Sequence, residues 1–278
     1  MKTAWIFPGG SARAVYTAGS LYALCNMEIP KPDIIIGGSG SAGTCLCYVS
    51  GQKEIIKNVW CNCLSTKKFL SFRRFWKILN VDYLVDTVLK KDNPLDMGSI
   101  KNSSILVYLP ITDSQTGEIE YASNKAELDL YEVVRAAVSV PIWTNLFSVK
   151  GNFVNNKFYS DSPPAARYQL HVNKAIKEGA TRIIIFDSWH PDDNPTAFLY
   201  AKIYAYFRNR EYKNRQLAYL KEIETFQEPH GVELVHLYPL KKLGMTRFEI
   251  DNANARKIFS QGYEETLHSP ELKKFLPQ

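Results

Sequence analysis

Two serines follow directly on an apolar run near the start of the chain, in a setting that favours nucleophilic chemistry. The run 33–37 has the β-branched composition of a buried strand, and small residues with Ser39 and Ser41 come next, before a helical stretch over 44–50. A strand, a tight turn that carries a serine and a helix form the layout of a nucleophile elbow. The helix N-terminus then presents free N–H groups to a developing oxyanion. The pattern predicts a serine hydrolase or an acyltransferase.

The elbow motif can be aligned on either serine. Segment 39–43 matches G-x-S-x-G around Ser41 except at its first position, whereas segment 37–41 around Ser39 fails at its last position. We predict Ser41 as the nucleophile, because a small residue and a glycine then open the helix. The alternative is a Gly/Ser-rich turn that binds a phosphate or only packs tightly.

A second strand–glycine–helix unit lies at the start of the chain. A short apolar strand is followed by Gly9, Gly10 and Ser11, and then by a helical pattern over 14–25. Glycines at a strand end let backbone N–H groups point into a site without a Cβ in the way. We predict that these three residues supply the oxyanion hole, and that Arg13 holds the loop or binds an anion. The segment matches neither a dinucleotide motif nor a P-loop.

The serine needs a proton acceptor, and no histidine is clearly placed for this role. The chain has five histidines: His171, His190, His230, His236 and His268. His190, which follows a buried strand, is the best placed of them. We predict Asp161 instead, at the end of a strand-like stretch. A carboxylate can serve as the base if it is held at hydrogen-bond distance and shielded from water, which raises its basicity. The alternative for Asp161 is a turn or cap residue.

Taken together, these segments resemble the patatin-like phospholipases, a family of acyl hydrolases. That family has a Gly-Gly-Gly-x-Arg/Lys-Gly oxyanion loop, a Gly-x-Ser-x-Gly elbow and an Asp-Gly-Gly/Ala motif that supplies the aspartate of a Ser-Asp dyad. The matching segments here are 9–14, 33–44 and the stretch around Asp161, with 134–141 and 165–185 also similar. The resemblance implies a three-layer α/β/α sandwich with a mostly parallel central sheet. It also implies a lipid ester substrate and neither metal nor cofactor.

Several positions depart from the family pattern. Ser11 and Ala14 replace glycines of the oxyanion loop, Ser39 replaces the first glycine of the elbow, and Ser162-Pro163 replaces the pair after the aspartate. A proline fixes φ and removes a hydrogen-bond donor. Two alternatives to the hydrolase therefore stay open: an acyltransferase on the same fold, and a catalytically weak pseudoenzyme that binds lipid.

The elements that must position these residues follow from the hydrophobic pattern. Strand-like segments separated by helical stretches predict a mostly parallel sheet covered on both faces, in a single domain over 1–278. The strands are expected at 4–7, 33–37, 105–111, 118–122, 157–160, 182–186 and 232–237. No apolar run approaches the roughly 20 residues of a membrane span, and no signal peptide is recognised. With five cysteines, an odd number, we expect reduced thiols and a cytoplasmic protein.

Basic and aromatic residues concentrate in segments 64–98 and 196–224, which we interpret as a cap or as membrane-facing elements. Within the first, the spacing of aromatics predicts an amphipathic helix over 67–79, near the mouth of the active site, in peripheral contact with an anionic membrane. The residues expected to face the membrane are Phe72, Arg73, Arg74, Trp76 and Lys77. The alternative is that both segments are helices packed on the core. A net charge of +6 without a recognisable binding module predicts no nucleic-acid partner.

Overall fold

The apolar runs of the sequence come together in one sheet in the computed structural model, which describes residues 1–145, 151–193, 197–245 and 251–276. Within these ranges the sheet has eight strands. They are β1 (Lys2–Phe7), β2 (Ile34–Gly37), β3 (Leu106–Asp113), β4 (Ile119–Ser123), β5 (Asn152–Val154), β6 (Lys157–Ser160), β7 (Ala180–Phe186) and β8 (Glu233–Leu237). All seven predicted strands are present. The additional strand, β5, has three residues and pairs with β6 across a turn at Asn155 and Asn156, both with positive φ.

The strand order is β5-β6-β3-β2-β1-β7-β8, with β4 paired to β3. The five strands from β3 to β8 in this order are mutually parallel, with Trp5 opposite Ile35 on one side and Ile184 on the other. The strands β4, β5 and β6 extend this parallel core with antiparallel pairs. The prediction of a mostly parallel sheet is confirmed. Since the carboxyl ends of β1, β2 and β7 lie side by side, the loops that follow them meet at one edge.

Ten α-helices accompany the sheet in the described ranges. They are α1 (Ala14–Asn26), α2 (Ala42–Val49), α3 (Lys53–Asn58), α4 (Met97–Asn102), α5 (Leu130–Ala137), α6 (Tyr168–Lys177), α7 (Ala197–Tyr206), α8 (Arg210–Glu224), α9 (Asn252–His268) and α10 (Pro270–Phe275). Two further segments, Val59–Cys63 and Tyr83–Asp92, are π-helical. None of these helices is both long and apolar enough to cross a bilayer.

Helices cover both faces of the sheet. Successive side chains of a strand point to opposite faces. Trp5 and Phe7 accordingly pack in a cluster with residues of α1, α2, α5 and α9, whereas Ala4 and Ile6 pack with Val172 of α6. The two faces of the central strands are equally buried, which explains why these strands are continuous apolar runs rather than alternating ones. The expected three-layer α/β/α sandwich is confirmed.

The segment 67–79 is not the amphipathic helix that its aromatic spacing predicts. It is a loop of tight turns, closed at its base by an antiparallel bridge between Leu70 and Leu79. The guanidinium of Arg74 donates hydrogen bonds to the carbonyls of Lys67, Lys68 and Phe69, at 2.7, 3.1 and 3.1 Å. A side chain therefore satisfies the carbonyl groups that helical N–H groups would otherwise bind. The second basic and aromatic segment does contain helices, α7 and α8.

Candidate active site

The turn after β2 has the strained backbone of a nucleophile elbow at Ser39. Gly38 is still extended, and Ser39 then adopts φ +46°, in the left-handed region that costs a residue with a Cβ about 1–2 kcal/mol. A 3₁₀ turn over Ser39–Ser41 leads directly into α2. Ser41, by contrast, has ordinary helical angles of φ −83° and ψ −12°. The sharp bend that projects a side chain from the end of the strand is therefore at Ser39.

Small residues allow the two strand-end loops to cross at this point. A Cβ on Gly9 would lie 2.6 Å from the Cβ of Ser39, and a Cβ on Gly40 would lie 3.0 Å from the carbonyl oxygen of Ser11. The loops are also joined by a hydrogen bond of 2.9 Å from the Gly38 N–H to the Phe7 carbonyl. The glycines of the two motifs thus bring the loop after β1 into contact with the turn after β2.

Asp161 lies beside Ser39 although 122 residues separate them in the chain. The hydroxyl of Ser39 donates to Oδ2 of Asp161 at 2.7 Å, and both residues are buried. Asp161 follows β6, and its N–H donates to the carbonyl of Ser139 at 2.9 Å. Its second oxygen, Oδ1, is buried without a hydrogen-bond partner. Burial raises the pKa of Asp161 to about 7, against the opposite effect of hydrogen bonds from Ser39 and the Ser162 backbone. This pKa suits a proton acceptor near neutral pH.

Ser41, the serine on which we aligned the motif, has other partners. Its hydroxyl donates to the Pro8 carbonyl at 3.1 Å and lies 3.3 Å from the hydroxyl of Thr17. These contacts join the start of α2 to the loop after β1 and to α1. The predicted contact between Ser41 and Asp161 is therefore replaced by one between Ser39 and Asp161. The other alignment of the motif, G-x-S-x-S around Ser39, was the available signal for this arrangement.

The loop after β1 offers unpaired backbone N–H groups next to Ser39. Of the three predicted donors, Gly9 donates instead to the carbonyl of Ala166 at 3.1 Å. The N–H groups of Gly10 and Ser11 make no hydrogen bond to the described residues, and neither does that of Gly40, which the sequence reasoning did not select. Gly10, Ser11 and Ser39 line the same cleft. Free N–H groups around a serine hydroxyl are the donors from which an oxyanion hole is built.

Arg13 supports the loop after β7. Its guanidinium donates twice to the Ser188 carbonyl, at 3.1 and 3.2 Å, once to the Met245 carbonyl at 3.4 Å, and to the carboxylate of Asp193. It also lies 4.3 Å above the ring of Trp189. Burial lowers the pKa of Arg13, and Asp193 opposes this effect. Of the two roles predicted for Arg13, the geometry fits loop support, because its donors are engaged by protein oxygens.

None of the five histidines bonds to Ser39 or Ser41. His171 is fully buried, its Nδ1 lies 3.0 Å from the hydroxyl of Tyr121, and burial lowers its pKa to about 3, so the ring is neutral. His190 accepts a hydrogen bond from the Asp192 backbone, and His236 pairs with Asp187. In the described parts of the chain, no three His, Cys, Asp or Glu side chains gather as metal ligands would.

Two cavities meet at Ser39. The first is a cleft of about 220 Å³ that also contains Asp161 and is lined by the partly exposed residues Trp143, Arg167 and Trp189. It has both polar and apolar walls. The polar groups of these walls can form hydrogen bonds with polar atoms of a substrate.

The second cavity, of about 60 Å³, is narrower and almost entirely apolar. It shares Ser11, Ser39 and Val140 with the cleft. Most of its remaining walls come from α2, from α5 and from segment 59–89, and include Gly43, Cys47, Val59, Trp60, Leu64, Leu84, Leu89 and Val134. Thr44 also lines this cavity, and its hydroxyl accepts a hydrogen bond from Trp60 Nε1 at 2.9 Å. Residues of the basic and aromatic segment 64–98 thus form part of the wall of an apolar cavity beside Ser39.

The comparisons with known proteins bear on the fold. No protein-family model matches the sequence, and no curated protein matches it. Among solved structures, the crystal structure of VipD from Legionella pneumophila is similar, with a TM-score of 0.55 and 10% sequence identity over 99% of this chain and 67% of VipD. At this identity the likeness concerns the fold alone. The fold is the patatin-like α/β/α arrangement that the sequence resemblance implied.

Proposed function

We propose that this protein is a serine acyl hydrolase that cleaves fatty-acyl ester bonds of phospholipids or other lipids, with Ser39 as the nucleophile and Asp161 as the base. The observation that carries the proposal is the 2.7 Å hydrogen bond between a serine in a strained turn and a buried carboxylate. A lone serine hydroxyl is a weak nucleophile, and an adjacent proton acceptor is what activates it. Ser41 has no such acceptor, because its hydroxyl is bound to the Pro8 carbonyl.

The reaction follows from the positions of these groups. Asp161 accepts the hydroxyl proton of Ser39 as Oγ attacks the ester carbonyl carbon, and the oxyanion is stabilised by N–H groups from Gly10, Ser11 and Gly40. The intermediate expels the alcohol, which takes the proton from Asp161, and leaves an acyl-serine. Water then gives a proton to Asp161 and attacks the acyl carbon. Release of the fatty acid returns the proton to Ser39.

The two cavities support a lipid substrate. The apolar cavity that starts at Ser39 suits the first methylenes of a fatty-acyl chain, since each methylene removed from water contributes about 0.8 kcal/mol. The mixed cleft on the other side of Ser39 suits the alcohol part of the ester, with Arg167 among its lining residues. An ester bound across both cavities would have its carbonyl carbon at the Ser39 hydroxyl. A small soluble ester would fill only part of this space.

Labelling with a fluorophosphonate probe, together with turnover of a fluorescent lipid ester, tests the proposal. The wild-type protein should take up the probe and hydrolyse the ester, and Ser39→Ala should lose both signals. Ser41→Ala is the matched control, because it removes the same atom two residues away and should keep substantial activity. Labelling that survives in Ser39→Ala and is lost in Ser41→Ala would reverse the assignment of the nucleophile.

Two other results would redirect the functional proposal. Labelling with turnover only when an acceptor alcohol is added would indicate an acyltransferase. Neither labelling nor turnover in a folded wild-type protein would indicate a lipid-binding protein without catalysis.

A further inference from the structure

Large apolar side chains are exposed on the loop 67–79, which replaces the predicted helix and which we call the aromatic loop. Phe72, Phe75 and Trp76 are 58%, 61% and 47% exposed. Phe75 and Trp76 contact each other edge to face, with ring centroids 5.1 Å apart. Three neighbouring exposed aromatic side chains on one loop form an apolar patch. On a soluble protein, such a patch usually marks a site that binds another protein or a membrane.

The conformation of this loop is held by its own hydrogen bonds. Arg74 donates to the carbonyls of three preceding residues, as described above. Its Nε also donates to the carbonyl of Lys77, at 3.3 Å. Backbone bonds from Ser71 to Ile78 and from Asn80 to Phe69, at 3.0 and 2.8 Å, close the base of the loop. Hydrogen bonds within the loop therefore fix the positions from which its aromatic side chains project. Arg74 belongs to that framework, so its guanidinium does not serve as a surface charge.

The aromatic loop is continuous with the mouth of the cleft. Phe72 contacts the edge of Trp143, with centroids 6.3 Å apart, and the Leu79 N–H donates to the Trp143 carbonyl at 2.9 Å. Trp143 in turn lines the cleft that holds Ser39 and Asp161. A surface that received Phe72, Phe75 and Trp76 would lie against the entrance of the cleft.

A second apolar edge borders the same entrance. Tyr200 of α7 lines the cleft and donates its hydroxyl to the Pro141 carbonyl at 2.8 Å. Tyr204, one turn further, is buried against the core. Other residues of this segment are exposed, namely Leu199, Ile203, Tyr206 and Phe207. Phe207 is 84% exposed. Their spacing places the helical members of this set on a common side of α7, away from Tyr204. The loop 67–79 and α7 therefore both carry exposed apolar side chains, and each of them also contacts or forms a wall of the cleft.

Positive charge accompanies the aromatic edge. Lys67, Lys68 and Arg73 are exposed, and none of them forms an ion pair with any residue in the described part of the chain. Lys77 is paired with Asp82 and Arg74 with backbone carbonyls, so three of the five cations of this segment are free to bind an outside anion. Aromatic side chains interspersed with unpaired cations are suited to the interface of an anionic bilayer.

We propose that the aromatic loop 67–79 and the exposed side of α7 form a docking surface for an anionic lipid bilayer, with the mouth of the cleft against the membrane. This inference deepens the proposed function, because it names the surface from which a lipid ester would enter. Docking itself does not require hydrolysis, so the two proposals can fail separately. A second copy of the chain is the competing occupant of such a surface.

Vesicle co-sedimentation tests the docking surface. The wild-type protein should bind vesicles of phosphatidylcholine with phosphatidylserine more tightly than vesicles of phosphatidylcholine alone, and binding should weaken as salt is added. Arg73→Glu changes the charge of the surface by two and should weaken binding to anionic vesicles about 30-fold. Lys177→Glu is the matched control, since this exposed residue ends α6 at the opposite edge of the sheet and should leave binding unchanged.

The apolar contribution is tested with Phe75→Ser/Trp76→Ser, which should weaken binding to both kinds of vesicle. Because these two side chains are exposed and lie outside the cleft, the double variant should keep its melting temperature and its turnover of a small soluble ester. An inactive wild-type protein that still shows this lipid preference would support docking and refute the hydrolase. Equal binding to both vesicles, or binding that ignores these substitutions, would overturn the docking surface. A dimer in light scattering that the double variant disrupts would assign the surface to a second copy and overturn it as well.

Discussion

Replacing Asp161 by asparagine should greatly reduce turnover and at the same time make the protein more stable at alkaline pH. Asp161 is buried, and one of its two oxygens has no hydrogen-bond partner. The native structure therefore holds its negative charge at a cost, which appears as a pKa raised from 3.8 to about 7. At about 1.4 kcal/mol per pKa unit, this difference corresponds to about 4 kcal/mol. Asparagine has nearly the same shape and carries no charge.

The sign of the pH dependence follows from the direction of the pKa change. A group whose pKa is higher in the folded protein favours folding while it is protonated, so its contribution is complete below about pH 4. It is then lost as the pH rises from about 4 to about 7, because the unfolded chain releases the proton first. Above about pH 7 the loss is complete. The asparagine variant has no such proton, so its advantage should grow over this range and then stay constant.

Urea unfolding of the wild type and of Asp161→Asn, measured at pH values from 4 to 9, would give this difference directly. Other titrating groups, including His171, are common to both proteins and cancel in the subtraction. The variant should be more stable by up to about 4 kcal/mol at pH 8 and by little at pH 4. Its turnover should fall at least 100-fold, as expected when a general base is removed.

A matched variant tests whether the effect belongs to an unpaired carboxylate rather than to any buried one. Asp193 forms a largely buried ion pair with Arg13, so Asp193→Asn should destabilise the protein at pH 8, opposite in sign to Asp161→Asn. Two results would contradict this reasoning: a lower stability of Asp161→Asn at pH 8, or an effect that does not change between pH 4 and pH 8. Either would mean that folding does not raise the pKa of Asp161.

Two further predictions concern catalysis. If Asp161 is the base, kcat/KM for a small soluble ester should rise with pH to a plateau with a midpoint near 7, and a profile that is flat from pH 5 to 9 would contradict this role. Gly43→Leu should extend into the apolar cavity and displace about three methylenes of an acyl chain, so kcat/KM for long-chain esters should fall about 50-fold with little change for an acetate ester. Gly43→Ala is its control, because a Cβ there would lie at ordinary distances of 3.5 Å from Leu89 and 3.8 Å from Val134. Equal losses on acetate and long-chain esters in Gly43→Leu would mean that this cavity does not hold the acyl chain.

The seven predicted strands and the layered fold could be read from the sequence because their signal is local. Runs such as Ile34–Ile36 are apolar at every position, which indicates a strand covered on both faces, and the helical stretches between them require parallel crossovers. The strand β5 could not be predicted in this way. It has three residues, only one of them buried, and it exists because β6 provides a partner across a turn.

The loop 67–79 shows the limit of a periodicity argument. Its aromatics recur at helical spacing, yet Phe72, Phe75 and Trp76 remain exposed, so no buried face stabilises a helix there. Arg74 binds the carbonyls of the preceding residues, and the backbone of Leu79 binds Trp143 from a distant part of the chain. These interactions involve a side chain and a remote residue, neither of which enters the spacing of apolar positions.

The sequence by itself determined that a serine turn and a glycine loop would meet at one edge of a parallel sheet, because each follows a parallel strand. Asp161 follows β6, which is antiparallel to β3, so for this residue only the resemblance to the patatin-like family implied a place beside a serine. The sequence did not determine which serine faces Asp161, since Ser39 and Ser41 each fit the elbow motif with one mismatch. The tertiary structure decided this. The path of β6 brings Asp161 to the point where the turn at Ser39 bends through a positive φ, whereas the first helical residues direct Ser41 to the Pro8 carbonyl. The pKa of Asp161 was decided in the same way, because desolvation depends on the residues that surround a carboxyl group in space rather than on its neighbours in the chain.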